Sequence, residues 1–307
     1  MTPQHVAILL CTYNGEKYIR QQVESIIAQT HTDWSLWVSD DGSKDNTLHI
    51  IQECMENQPQ SLHIRLGPSI GFAHNFMSLL NCEAIHADYF AFSDQDDIWH
   101  CDKIERALRW HVSVSGEMPN LYGGRSHLVD EAGQSIGYSR RFSKKPCFSN
   151  ALVQSMVGGN TMVMNQKARD LLRVYKDGTD VAFHDWWAYI FITGAGGNFY
   201  FDLIPSIDYR QHGANLVGLK KGVAARLRRF HKLMQGEFRE LTEQHVLLLE
   251  QVNGLLTAEN QTVFEYFKQV RSSGLIKRLI SAKKSRIFRQ TFLENMGLLV
   301  AILFRKI

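Results

Sequence analysis

Between residues 6 and 115, short apolar runs alternate with amphipathic stretches of helical period, and this happens four times in succession. The runs Val6 to Cys11, Trp34 to Ser39, Leu62 to Leu66 and Tyr89 to Ser93 read as strands. The intervening segments, Lys17 to Gln29, Lys44 to Glu56, Phe72 to Ala84 and Asp102 to Val114, read as helices; in the first, Tyr18, Ile19, Val23, Ile26 and Ile27 share one face. A strand that reappears after each helix can rejoin its predecessor only through a crossover. The pattern therefore predicts an α/β fold with a mostly parallel central sheet and helices on both faces.

In such sheets ligands collect at the carboxyl ends of the strands, and the polar clusters of this chain fall there repeatedly. Thr12-Tyr13-Asn14 follows the first strand, Asp40-Asp41-Gly42-Ser43 the second, and Asp94-Gln95-Asp96-Asp97 the fourth. A turn and helix N-cap accounts equally well for Ser43 and Asp45. The third cluster is harder to explain as a turn, because three neighbouring carboxylates repel one another unless a cation joins them. Mg²⁺ or Mn²⁺, which prefers oxygen ligands and is commonly shared with substrate phosphates, resolves the repulsion at Asp94-x-Asp96. A solvated acidic loop is the alternative. An EF-hand is excluded by the missing glycine and closing glutamate.

Downstream, Phe183-His184-Asp185-Trp186-Trp187 precedes the apolar run Ala188 to Thr193, which places Asp185 in the first turn of a buried helix. There the helix dipole favours an ionised carboxylate able to accept a proton, although a simple cap is an equal account. Trp186 and Trp187 beside that carboxylate suggest a sugar-stacking surface, with buried packing as the commoner fate of such residues. Gly158-Gly159-Asn160 before the run Thr161 to Met164 indicates a backbone that passes close to something, or a tight turn. His212, in Tyr209-Arg210-Gln211-His212, has the chemistry for a metal or phosphate contact and equally for a structural role.

The stretches VAILLCTYNGEKYIRQQVESIIAQT, WSLWVSDDGSKDNT, GFAHNF, FSDQDDIWHCDKI, GGNTMVMN, HDWW and YRQHGAN together resemble the inverting glycosyltransferases of family 2, in particular their rhamnosyltransferase-like bacterial branch. They occur in the family's order across residues 5 to 216. The resemblance implies a GT-A fold, a single Rossmann-like domain over residues 1–218, with a nucleotide-sugar half over about 1–115 and an acceptor half over about 116–218. It implies a nucleotide-diphosphate sugar donor bound near Thr12, Tyr13, Asn14, Glu16 and Asp41, with Asn160 and Trp186 on the sugar side. It further implies a divalent metal, Mg²⁺ or Mn²⁺, at Asp96 and Asp94, to which the chemistry of His212 adds a third candidate ligand, and Asp185 as the general base. Two departures bear on the donor pocket: His100-Cys101-Asp102-Lys103 lacks the usual proline, and Leu66 to Gly71 replaces a loop that commonly carries asparagine.

Charge divides the chain. Residues 219–307 hold 17 Lys and Arg against 7 acids, a net of +10 that leaves −7 for residues 1–218. This rear segment reads as a helical extension. Lys220 to Leu233 forms a basic amphipathic helix and Lys277 to Arg289 a second basic block, suited either to an anionic membrane surface or to a solvated face. The apolar run Met296 to Phe304 is too short to span a bilayer. Five dispersed cysteines without a CxxC pair, and no basic leader before Val6, are expected of a cytoplasmic protein, peripheral on the inner face of the membrane where the saccharide acceptor is lipid-linked. Nucleic acid is not an expected partner. A nucleotidyl or phosphoryl transferase, or a non-catalytic protein that binds sugar nucleotides, stays open as an alternative. The first calls for a Gly-rich phosphate loop, toward which CTYNGEKY offers only Lys17.

Overall fold

Buried apolar strands need partners on both edges, and the four expected strands pair with one another. The computed structural model describes residues 4–173, 182–212 and 235–307. In it β1 (Val6–Thr12) lies between β2 (Trp34–Asp40) and β4 (Tyr89–Ser93), and β3 (Leu62–Leu66) flanks β2, all parallel. The crossovers are α1 (Ile19–Ile27), α2 (Thr47–Met55) and α3 (Phe72–Asn81). Side chains alternate along β1 with period two. Val6, Ile8 and Leu10 join one core with Ile19, Val23 and Ile26 of α1; Ala7, Leu9 and Cys11 join the opposite core with Phe76, Leu79 and Leu80 of α3.

Beyond α4 (Lys103–Ser113) the chain adds β6 (Asn120–Gly124), β9 (Val163–Asn165) and β10 (Asn198–Asp202), giving a seven-stranded sheet in the order β10-β6-β9-β4-β1-β2-β3. Only β9 runs against its neighbours, antiparallel to both β4 and β6. A reversed strand starts where its neighbours end, so the Gly158–Thr161 turn that feeds β9 sits at the edge reached by the carboxyl end of β4, with the Phe92 N–H bonded to the Met162 carbonyl. A smaller sheet, in the order β5-β11-β7-β8, is built from β5 (Ile98–Trp99), β7 (His127–Val129), β8 (Ser135–Tyr138) and β11 (Ile207–Arg210). β5 follows the acidic loop directly, and its antiparallel pairing with β11 carries Arg210 and His212 back toward that loop.

Short helices α5 (Phe148–Ala151) and α6 (Gln166–Leu172) and the longer α7 (His184–Gly194) cover the second face. Over them lie α8 (Glu237–Gln251), α9 (Ala258–Ser272), α10 (Leu275–Ser285) and α11 (Phe292–Leu303). Val246, Leu249, Phe264 and Phe267 belong to the same hydrophobic core as Phe148, Trp187 and Phe191, so the rear helices are packed onto the α/β part. Among the described residues no helix is long and apolar enough to cross a membrane. The expected basic helix over Lys220 to Leu233 lies outside the described residues.

Trp186 corrects an expectation. It is buried, its indole N–H donates to the Ala151 carbonyl at 2.7 Å, and its ring packs against Phe238 and His245 at 6.4 and 4.7 Å. Trp187 is fully buried. Neither ring offers a stacking surface, because the rear helices supply the apolar cover that a sequence read locally does not reveal.

Candidate active site

Four loops meet at the carboxyl edge of the sheet, and hydrogen bonds between loops hold them together. Gln95 bonds the Tyr13 backbone reciprocally, its Oε1 accepting from the Tyr13 N–H at 2.8 Å and its Nε2 donating to the Tyr13 carbonyl at 3.0 Å. A side chain at Gly15 would strike Gln95, its Cβ falling 2.4 Å from Oε1, so glycine is what lets the two loops approach. Tyr13 itself stands 57% exposed. Thr12 is buried and its hydroxyl donates to Asp40 at 2.8 Å. Asp40 also accepts from the Gly42 and Ser43 N–H groups and the Ser43 hydroxyl, so it closes the turn that presents Asp41. Asn14, with a left-handed φ of 47°, accepts from the Lys44 N–H, and Glu16 accepts from the Asn46 backbone and side chain. Asp41 accepts from the Ser69 N–H at 3.1 Å, and burial raises its pKa.

At the acidic loop the three carboxylates gather with oxygens within 4.8 Å of one another. Their surroundings divide their roles. Asp97 is fully buried; one oxygen accepts from Asn160 Nδ2 at 2.6 Å and the other from the Arg210 N–H at 3.3 Å. Asp96 accepts from His212 Nε2 at 2.7 Å. His212 is thus placed as a hydrogen-bond partner of Asp96, the arrangement that orients a ligating carboxylate. Burial, then the neighbouring Asp96 and Asp185, pushes the Asp94 pKa up to about 7. Burial likewise raises that of Asp97 well above the carboxylate range. An oxygen-only donor set that repels itself fits a hard divalent cation, and with Asp97 engaged on both oxygens, Asp94 and Asp96 are the residues suited to hold it.

Two basic residues pack against this loop. Lys103 is fully buried, lies over the Trp99 ring at 3.2 Å from its centroid and donates to the Asn160 carbonyl at 2.7 Å. Burial lowers its pKa while Asp97 and Asp94 oppose that shift. Arg210 donates to the Asp96 carbonyl, the Glu131 carbonyl and Gln21 Oε1. Sequence reasoning assigned no separate role to Lys103, Gln95, Arg210 or Asp97. The only signal was that Lys103 and Arg210 sit inside otherwise polar or acidic motifs.

The turn ahead of β9 connects this cluster to Asp185. Asn160 reaches Asp97, and its neighbour Gly159 donates its N–H to Asp185 Oδ2 at 3.2 Å. Asp185 Oδ1 accepts from the Trp186 N–H at 2.7 Å, as a carboxylate in the first turn of a helix does. The dipole does not dominate, however. Burial pushes the Asp185 pKa up to about 6, above the ordinary carboxylate range, against the three backbone N–H groups that lower it. His184 beneath it is buried with neither ring nitrogen hydrogen-bonded, stacked on Phe76 at 4.1 Å and edge-on to Phe92 at 4.9 Å. Burial lowers its pKa to about 3, so the ring is neutral.

Residues 7–171 match the family described as Glycosyl transferase family 2. The dTDP-rhamnosyl transferase RfbG of Shigella flexneri is 33% identical over 233 residues, which cover 72% of this chain and 77% of that protein. Among solved structures, TarS 1-349 of S. aureus in complex with UDP-GlcNAc superposes with a TM-score of 0.53 at 13% identity, over 92% of this chain and 90% of that one. The mannosyltransferase PcManGT of Pyrobaculum calidifontis in complex with GDP-Man and Mn²⁺ gives 0.53 at 16% identity, over 100% of this chain and 86% of that one. At such identities these two establish the shared GT-A-type fold and nothing finer. The family match over more than half of the chain, together with the Shigella relative, establishes that this protein belongs to glycosyl transferase family 2.

Proposed function

We propose that this glycosyltransferase is inverting and metal-dependent, and that it moves rhamnose from dTDP-rhamnose to a hydroxyl of a growing, lipid-linked surface polysaccharide. The donor rests on the Shigella relative, whose name states that sugar and nucleotide. Residues 1–115 would hold the nucleotide sugar against Tyr13, Asn14, Glu16 and Asp41, residues 116–218 would hold the acceptor, and residues 219–307 would form the rear extension. The observation that carries the mechanism is the Gly158–Thr161 turn, which touches Asp185 through Gly159 and the acidic loop through Asn160.

In this reading Asp185 takes the proton of the acceptor hydroxyl as that oxygen bonds to the anomeric carbon and the bond from carbon to the diphosphate oxygen breaks. The electron pair leaves with the diphosphate. A base raised to about 6 accepts a proton more readily than an ordinary carboxylate. The Gly159 and Trp186 N–H groups fix its direction. Asp94 and Asp96 would hold Mg²⁺ or Mn²⁺, with His212 orienting Asp96. A bound cation would neutralise the charge on the departing diphosphate. No covalent intermediate on the protein is required.

The test measures nucleoside diphosphate release from a panel of nucleotide sugars with Mg²⁺ or Mn²⁺, with and without lipid-linked acceptors. Asp96→Asn is expected to lose transfer and cation-dependent donor binding. Asp185→Asn is expected to lose transfer by about 10²–10⁴-fold while keeping donor binding. Normal turnover by Asp185→Asn would refute the assignment of the base.

A further inference from the structure

The helix α10 is amphipathic in the wrong sense for a helix facing water. Its buried residues are Arg278, Ser281 and Ser285, whereas Leu275, Ile276, Leu279 and Ile280 are exposed, Ile276 at 77%. The inward Arg278 has its own partners: it donates to the carbonyls of Ile302 and Leu303 at 3.0 and 3.1 Å and to that of Ser273 at 2.8 Å. These bonds bring the start of α10 against the end of α11, where a second exposed apolar row continues through Phe292, Leu293, Met296, Leu299, Leu303 and Phe304. Scattered exposed apolar side chains are ordinary, but two adjacent helices with apolar rows turned outward are not.

The charges around these rows identify what covers them. From Leu275 to Ile307 the chain holds eight Lys and Arg and one acid, Glu294, and that acid is paired with Arg140. Lys277, Lys283, Lys284 and Arg286 are exposed on or just beyond α10. A face that is apolar along its length and basic at its margins matches a bilayer of anionic lipid, where side chains enter the acyl boundary and lysines remain among the headgroups. A second copy of this chain would bring the same positive charges together and would be repelled.

The same helices are bonded to the acceptor side of the site. The segment between α10 and α11 grips the approach to the Gly158 turn. Gln290 N–H donates to Gln154 Oε1 at 2.9 Å, Gln290 Nε2 donates to the Lys144 carbonyl at 3.1 Å, and Asn150 Nδ2 donates to the Phe288 carbonyl at 2.9 Å. We propose that the outward faces of α10 and α11 form a docking surface for an anionic membrane, which holds the acceptor-side wall at the lipid boundary. This surface is distinct from the basic stretch over residues 220–233. Membrane binding is a separate property from the donor and acceptor reading and is measured without turnover.

The test is flotation of the purified full chain with vesicles of phosphatidylcholine alone and of phosphatidylcholine with phosphatidylglycerol, across ionic strength. Wild type is expected to float with the anionic vesicles, and less so as salt rises. Lys283→Gln/Lys284→Gln is expected to weaken binding roughly thirty-fold, from about 1 kcal/mol for each positive charge near the lipid. Ile276→Asp/Ile280→Asp is expected to abolish flotation with unchanged far-ultraviolet circular dichroism and unchanged donor binding. If the aspartate pair fails to fold, the glutamine pair, which alters only exposed charge, still decides. Wild type that does not float at low salt overturns the proposal, as does flotation of both variants equal to that of wild type. A dimer in sedimentation that the aspartate pair dissociates, without vesicle binding by wild type, would overturn it in favour of a second copy.

Discussion

Replacing Gly159 by alanine tests whether a neutral, immobile histidine ring sets the position of the base. An alanine Cβ at 159 would fall 2.5 Å from His184 Nε2, 3.2 Å from its Cε1 and 3.5 Å from the Asp185 Cβ. The ring has little room to retreat, being stacked on Phe76 at 4.1 Å with Phe92 edge-on at 4.9 Å. The strain falls on the turn. Overpacking of this kind costs about 1–3 kcal/mol, and losing the Gly159 N–H bond to an ionised Asp185 adds about 1.5–3 kcal/mol. Together these come to about 2.5–6 kcal/mol, which at roughly 2 °C per kcal/mol for a chain of this length lowers Tm by roughly 5–12 °C. Turnover should fall further than stability suggests, since displacing a catalytic group by about 1 Å can cost on the order of 10²-fold. The assay pairs thermal unfolding with nucleoside diphosphate release at saturating donor and acceptor, with donor Kd measured separately. Donor Kd should change less than turnover, because the Tyr13 and Asp41 loops hold the nucleotide side through bonds of their own and only Asn160 belongs to this turn. Gly116→Ala, where an added Cβ meets nothing within 4 Å, is the control. Wild-type Tm and turnover in Gly159→Ala would refute the packing account of how Asp185 is positioned.

Other expectations follow from the same contacts. With Asp185 raised to about 6 by burial and active only when deprotonated, kcat/KM measured at a cation concentration that keeps Asp94 ionised should be level above that pH and fall about tenfold per unit below it. A profile that stays level down to the ordinary carboxylate range would remove Asp185 as the titrating base. Lys103→Met would leave the Asn160 carbonyl without its buried donor and remove the group whose charge opposes the rise of the Asp94 pKa. Urea unfolding should show a loss of about 1–3 kcal/mol, and an unchanged midpoint would contradict it. Arg169 donates to the carbonyl of Leu80 in the last turn of α3 and to those of Cys82 and Ile85 just beyond it. Arg169→Met is expected to cost about 3 kcal/mol by stranding them, read as a Tm drop with donor binding intact; an unchanged Tm would show that these carbonyls find other partners.

The strands of the first half were legible because each is a short apolar run bounded by turn residues. The expected runs Leu62 to Leu66 and Tyr89 to Ser93 match β3 and β4 residue for residue, while β1 and β2 extend one residue further, to Thr12 and Asp40. Helix ends were read up to three residues too long, as at Lys17 against Ile19, because the flanking polar residues carry helical propensity while their backbone forms turns. The acidic loop was visible as a concentration of like charge, but its internal division was not. Asp97 was separated from Asp94 and Asp96 by Asn160, 63 positions away, and by Arg210, 113 positions away. Asp40 was passed over for Asp41, since only the folded turn shows four donors converging on Asp40.

What the sequence determined by itself was therefore local: strand and helix periods, the turns between them, and the chemistry gathered in each loop, all governed by contacts a few residues apart. What the tertiary structure alone decided was orientation. The reversal of β9 brings Gly159 and Asn160 to the edge where β4 ends, and the rear helices bury Trp186 and turn the apolar side of α10 outward. A side chain's exposure depends on which distant element packs over it. The period along a helix says that one face is apolar, but only the packed fold says whether that face points in or out.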